Sequence, residues 1–215
     1  MLKSRLMVIR ATRLQIRERN VALILDAAER VFATAGYKGS SISMIAEETG
    51  VPKSTIPYYF QSKEALYRSV IGDIFSLWLK ASDRMDSSDD PALALESYIH
   101  DKMDLARERP FASKVWANEI IHGGQVIQDY LEGPLREWLE TRVQILQRWM
   151  DQGLIHQMDP KTILYMIWAT TQHYADFQHQ IVTLNDNKEL SDQQWNEAKK
   201  AVTSIILNGL GLVQK

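Results

Sequence analysis

The stretch Ser41 to Lys63, SISMIAEETGVPKSTIPYYFQSK, constrains the chain more than any other. It reads as two short helices joined by a turn. The first is expected from about Ile42 to Thr49, with Ser41 placed to accept hydrogen bonds from its unpaired leading amides. Ile45 and Ala46 supply its apolar side. Gly50 follows where a residue of positive φ ends a helix without a Cβ clash, and Val51 and Pro52 complete the turn. Ser54 is expected to cap the second helix, which runs to about Phe60. Pro57 is compatible with that helix, because at the third position an N–H has no intrahelical acceptor.

Helical spacing divides the second helix into two faces. Ile56, Phe60 and part of Tyr59 point to a core, while Ser54, Thr55 and Tyr58 point outward between Lys53 and Lys63. The outward face carries hydroxyls and ammonium groups and no carboxylate, which suits a groove lined by phosphates. Two short helices joined at a glycine form a helix-turn-helix, whose second helix enters the DNA major groove. The competing reading, the same motif used only for packing, leaves the basic flanks unexplained.

The residues Ala35-Gly36-Tyr37, Ser40-Ser41-Ile42, Ile45-Ala46, Gly50-Val51, Ser54-Thr55 and Tyr59-Phe60-Gln61-Ser62-Lys63-Glu64-Ala65-Leu66-Tyr67 resemble the signature of TetR-family transcriptional regulators. The resemblance implies an all-α fold of about nine helices: a three-helix DNA-binding head, then a larger helical domain for effector binding and dimerisation. It also implies a double-stranded operator, a homodimer built through the last two helices, a small-molecule effector that lowers DNA affinity, and no cofactor. The family's matching lysine binds phosphate, which points to Lys63. Pro57 departs from the family's pattern, which often has a phosphate-contacting Tyr there, so Tyr58 or Tyr59 would have to make that contact. The candidate DNA contacts are Arg17, Ser41, Lys53, Ser54, Thr55, Tyr58, Tyr59 and Lys63.

Charge is divided along the chain in the same sense. Residues 1–63 hold 10 Lys and Arg against 5 Asp and Glu, whereas residues 64–215 hold 15 against 22. A basic module for a polyanion joined to an acidic body is expected, with the division near residue 63. Cysteine is absent, which excludes a disulfide framework, a thiolate nucleophile and Cys-ligated zinc, and fits a cytoplasmic location. No apolar run reaches membrane-spanning length, and the start is too interrupted by charge for a secretory signal.

In chain order, Lys3, Arg5, Arg10 and Arg13 form a basic tail, or an arm that follows the DNA backbone. Val21, Ile24, Leu25, Ala28, Val31 and Phe32 predict a helix from Arg17 to Ala35, ended by Gly36. A fourth helix is expected from Lys63 to about Asp83, beginning in the head and ending in the acidic body. The polar segment Met85 to Pro91 is a loop and a natural boundary. Helices follow at Pro91 to Glu108 and Phe111 to His122, then Gln125 to about Gln152, interrupted near Gly133-Pro134. Asp159 and Pro160 start another that runs to about Val182, and Ser191 caps the last, which ends near Gly209. No alternating strand pattern occurs.

The segment Ile167 to Phe177 mixes aromatic and polar residues in a manner that suits neither a plain core helix nor a plain surface helix. Trp168, Thr171, Gln172, Ala175 and His179 share one face, and Met166, Thr170, His173, Phe177 and Gln180 another. One can line a cavity and the other can meet a second subunit. The segment also resembles the C-terminal domain of pyrimidine-utilisation regulators within the family, which implies a uracil- or thymine-like effector. Such rings need paired donors and acceptors beside a flat apolar surface. The effector candidates are Trp78, Trp116, Glu119, Trp168, Thr171 and Gln172; for each tryptophan, plain core filling is the equal alternative. Glu119 and His122 have the one-turn spacing of a di-metal bundle pair, with Asp176 and His179 as a weaker echo, but no further carboxylates complete a site. No catalytic residue is expected. A helical metal-dependent enzyme, or a DNA-binding protein without an effector, remain the rival classes.

Overall fold

The computed structural model describes residues 2–81 and 88–212, and the described residues form helices joined by turns and short connections. The first helix, α1, is Leu2–Gly39, with Gly36 breaking its geometry at φ 67°, ψ 173°. The glycine expected to end the helix thus bends it instead, in a conformation that a Cβ would oppose, and one further turn follows. The side chains of Lys3, Arg5, Arg10 and Arg13, expected along DNA, lie outside the described residues, as do the loop residues Met85 to Ser87.

Next comes α2 (Ile42–Thr49), whose N-cap Ser41 Oγ accepts the Met44 amide at 3.2 Å. Gly50 closes it at φ 71°, donating its N–H to the Ala46 carbonyl. The third helix, α3, is Thr55–Phe60. Here one expectation fails. Ser54 already has helical angles (φ −66°, ψ −17°) and makes no side-chain capping bond, because its Oγ is not presented as an extended N-cap presents it. The turn is closed instead by the Thr55 amide on the Pro52 carbonyl at 2.8 Å.

Helix α4 (Lys63–Ala81) leads out of this group. It is followed by α5 (Pro91–Glu108), capped by Asp90, and α6 (Pro110–Ile121), which has proline in its first turn. A short α7 (Gln128–Tyr130) runs into a π-helical turn, Leu131–Leu135, and then α8 (Arg136–Asp151). The expected interruption at Gly133-Pro134 takes this form because Pro134 has no N–H for a regular helical bond. Asp159 caps α9 (Pro160–Asp176) through the Thr162 amide. The helix breaks at Phe177 (φ −109°, ψ 26°) rather than continuing to Val182, and α10 (Gln178–Leu184) resumes after it. Ser191 and Gln194 form a reciprocal capping box at α11 (Asp192–Gly209).

Two buried clusters hold these helices together. One gathers Ile24, Ala28 and Phe32 of α1, Ile45 of α2, Ile56 of α3, and Leu66, Ile71 and Ile74 of α4, and reaches Val115 and Trp116 of α6. The other joins Leu95, Ile99 and Met103 of α5 to Leu146 and Trp149 of α8, Ile163, Leu164 and Ile167 of α9, and Leu207 of α11. Leu79 and Leu135 pack against both clusters, so α4 and the π turn join them. Among the described residues, no helix is long and apolar enough to cross a membrane.

Candidate functional site

The outer face of α3 is open. Tyr58 is 81% exposed, Lys53 and Ser54 just before α3 are exposed, as is Arg17 on α1, and Ile56 is fully buried beneath. The Tyr58 ring stands edge-on to Tyr59 at 5.0 Å. Thr55 and Tyr59 are half-buried, and the Tyr59 hydroxyl accepts a bond from Asn20 Nδ2 at 3.1 Å. Two further DNA candidates are engaged inside the protein. Ser41 Oγ caps α2. Lys63 Nζ donates to the carbonyls of Tyr37 at 2.7 Å and Ser40 at 3.0 Å, and lies 4.5 Å from the Tyr37 ring centre. Lys63 therefore fastens the end of α1 to the start of α4, a role that a lone surface lysine would not have.

The head is also tied to α6. The Tyr67 ring sits edge-on to Phe32 at 4.8 Å and against Tyr37 at 4.8 Å. Its hydroxyl donates to Glu119 Oε2 at 2.8 Å, and the Val126 amide donates to Glu119 Oε1 at 2.9 Å. Burial, then the bond to Glu119 and its charge, drive the Tyr67 pKa far above the ordinary phenol value. Asn118 Nδ2 reaches the Ala33 carbonyl at 3.0 Å. Arg109, between α5 and α6, pairs with the buried Glu29 of α1 and with Asp73 of α4 at 3.2 Å; the bond to Glu29 pushes the guanidinium pKa up. Paired in this way, Glu29 does not stand as an uncompensated buried charge.

At the other end of α4 lies an aromatic cavity of about 50 Å³. Phe75, Trp78 and Leu79 of α4, Tyr98 and Lys102 of α5, and Trp116 of α6 line one part. Leu135, Trp138 of α8, and Trp168 and Gln172 of α9 line the other. Trp78 meets Trp116 edge-on at 5.1 Å, and Trp138 lies 5.7 Å from Trp168. Trp168 Nε1 donates to the Tyr98 hydroxyl at 2.8 Å, which orients both rings. Burial raises the Tyr98 pKa well above that of a free phenol. Lys102 is 4% exposed, its Nζ 4.2 Å from the centre of the Trp78 ring, and burial pushes its pKa down to about 7.

Four of the six effector candidates, Trp78, Trp116, Trp168 and Gln172, thus converge on one cavity. Thr171 does not. It is fully buried one position further round α9, and its hydroxyl bonds back to the Ile167 carbonyl at 2.7 Å. Glu119 faces a separate cleft of about 330 Å³ beside Gly36, Tyr37 and Tyr67. Its bonds to Tyr67 and Val126 occupy both carboxylate oxygens, so its spacing with His122 reflects the tie between head and body. His122 Nδ1 itself lies 2.6 Å from the Asn118 carbonyl. Among the described residues, no three His, Asp or Glu side chains are grouped to hold a metal.

Lys102 was missed by sequence reasoning. Its signal is periodicity: Ala94, Leu95, Tyr98, Ile99, Lys102, Met103 and Ala106 form the buried stripe of α5, so a lysine occupies a core position. Trp138 likewise falls on the buried face of α8, with Ile145, Leu146 and Trp149.

Residues 24–70 match the family of bacterial regulatory proteins described as the tetR family, and residues 71–213 match the YcdC-like protein C-terminal region. The chain is 33% identical over 187 residues to the HTH-type transcriptional regulator RutR of Escherichia coli K12, covering 87% of this chain and 88% of RutR. Among solved structures, PfmR, a TetR-family regulator from Thermus thermophilus, superposes with a TM-score of 0.68 at 19% identity, over 87% of this chain and 95% of PfmR. FadR from Bacillus subtilis, in complex with stearoyl-CoA, gives 0.64 at 22% identity, over 88% and 98%. At those identities the two structures speak for the fold alone. The named relatives are transcriptional regulators and not enzymes. The two matches together span the helix-turn-helix and the helical body, and the chain belongs to the TetR family of bacterial transcriptional regulators, with a YcdC-like C-terminal region.

Proposed function

We propose that the protein is a ligand-responsive repressor that binds a near-palindromic operator as a homodimer and is released by a small effector. One observation carries the proposal: α4 starts at Lys63, which holds the end of α1, and reaches Trp78 in the aromatic cavity, a rise of about 22 Å at 1.5 Å per residue. Occupation of the cavity then bears on the helix that positions the head. A ligand shifts the head only by the difference in its affinity for the two arrangements.

The division of labour follows the charge, with residues 1–63 binding DNA and residues 64–215 binding effector and partner. Arg17, Lys53, Ser54 and Tyr58 serve as the outermost contacts, and two α3 helices present themselves about 34–36 Å apart, one turn of DNA. Dimerisation through α9 with α10 and α11 is supported by exposed apolar residues there: Met166 (54%), Phe177 (53%) and Ile205 (72%). Met166, Thr170, His173 and Phe177 continue along one side, with His173 stacked on Phe177 at 4.8 Å. The effector is a small flat heterocycle, uracil or thymine in type. Gln172, whose side chain makes no hydrogen bond among the described residues, supplies a paired donor and acceptor beside Trp78 and Trp168. The protein acts in the cytoplasm.

Selection of duplexes from a random pool by the purified protein tests this reading. Enrichment of a sequence with two-fold symmetry, and loss of binding to it on adding pyrimidine, is the expected result. No enrichment at low salt would overturn the proposal.

A further inference from the structure

We infer that the effector is a planar anion, its negative group set against Lys102 and its ring held between the tryptophans. The inference rests on the reading of the cavity as the effector site. Lys102 occupies a core position of α5 and is 4% exposed, yet lines the cavity. Among the described residues, no acceptor makes a hydrogen bond to its Nζ and no carboxylate pairs with it within 4.0 Å. The Trp78 ring face, 4.2 Å away, offsets part of the charge but accepts no proton. Across the cavity, α9 contributes Gln172, and further along that helix Asp176, the carboxylate whose charge acts on Lys102. Asp176 is itself engaged by the Ser113 hydroxyl at 2.6 Å. The other polar group on this side of α5 is the Tyr98 hydroxyl, which accepts from Trp168.

A methionine at this position would pack as well without the cost of a buried charge. A bound carboxylate or enolate compensates for that charge directly, since a charged hydrogen bond in a dry site is stronger than a neutral one. A neutral ring of the same shape offers only a carbonyl dipole. The cavity should therefore separate an anion from its neutral counterpart, with Gln172 orienting either through its amide.

Quenching of tryptophan fluorescence on titrating the full chain provides the test, because Trp78, Trp116, Trp138 and Trp168 line the cavity. The probes are uracil against its 6-carboxylate, orotate, and benzamide against benzoate, with wild type and Lys102→Met compared. Orotate should bind wild type about tenfold to hundredfold more tightly than uracil, and Lys102→Met should erase the ratio. The wild-type ratio stands without the variant, should that variant fold poorly. Uracil bound as tightly as orotate would overturn the anion inference and leave the pyrimidine reading intact. Binding of neither would reject the pyrimidine reading, and benzoate then decides: a tenfold preference over benzamide supports the anion inference, and none overturns it.

Discussion

Lys102 Nζ stands 4.2 Å from the centre of the Trp78 ring, so a cation on α5 and an aromatic on α4 share the wall of one cavity. Burial lowers the Lys102 pKa from 10.5 to about 7, against the opposing pull of Asp176. Between those values the unfolded chain holds a proton that the folded chain lacks. Stability therefore rises with pH across that window, by up to about 1.4 kcal/mol per unit, and the cost of the buried ammonium is present in full below pH 7. Lys102→Met should remove this slope and stabilise the protein at pH 7 by about 1–3 kcal/mol. Urea melts at pH 7 and pH 9 check both statements; an unchanged slope in the variant would contradict them.

Tyr58 and Lys63 should behave differently on substitution, although the sequence pattern points both at DNA. Tyr58→Ala removes a side chain that is 81% exposed. It should leave the melting temperature within about 2 °C and weaken operator binding roughly tenfold, the loss of one hydrogen bond to a charged group. Lys63→Met instead frees the Tyr37 and Ser40 carbonyls and should lower stability by about 1–3 kcal/mol, with weaker DNA binding as a consequence. Gel-shift titration alongside thermal denaturation separates the two.

Tyr67→Phe keeps the ring between Phe32 and Tyr37 but leaves Glu119 Oε2 without its donor. A loss of about 1–3 kcal/mol is expected, since the carboxylate stays buried. Tyr67→Phe combined with Glu119→Gln should recover part of that loss, because the amide oxygen still accepts from the Val126 amide while the buried charge is removed. Calorimetry of the single and double variants gives the comparison, and a double variant no more stable than Tyr67→Phe alone would contradict it.

Phe177→Asp introduces a charge into an exposed apolar stripe and touches neither buried cluster. If the two-fold contact lies there, the variant should elute as a single subunit and lose operator affinity by more than tenfold, while its helical circular dichroism is unchanged. A variant that stays dimeric places the interface elsewhere.

The elements legible in the sequence are those whose causes are local. Ser41, Asp159 and Ser191 each cap the helix that follows, and Pro91 and Pro160 each stand in a first turn, because capping depends on residues a few positions apart. The break at Phe177 carries no such mark: neither glycine nor proline stands at it. Trp78, Trp116, Trp168 and Gln172 stand out individually in the sequence, but their meeting requires α4, α6 and α9 to be packed together.

By itself, then, the sequence determined the all-helical class, most helix starts, the hydroxyl-bearing outer face of α3 between Lys53 and Lys63, and the separation of charge between head and body. These follow from backbone propensity and residue chemistry, which act over one or two turns. Tertiary structure alone decided that Lys63 binds carbonyls, that Glu119 joins head to body, and that a lysine sits buried over Trp78. A side chain's hydrogen-bond partner and its dielectric surroundings come from helices distant in sequence, and no local pattern encodes them.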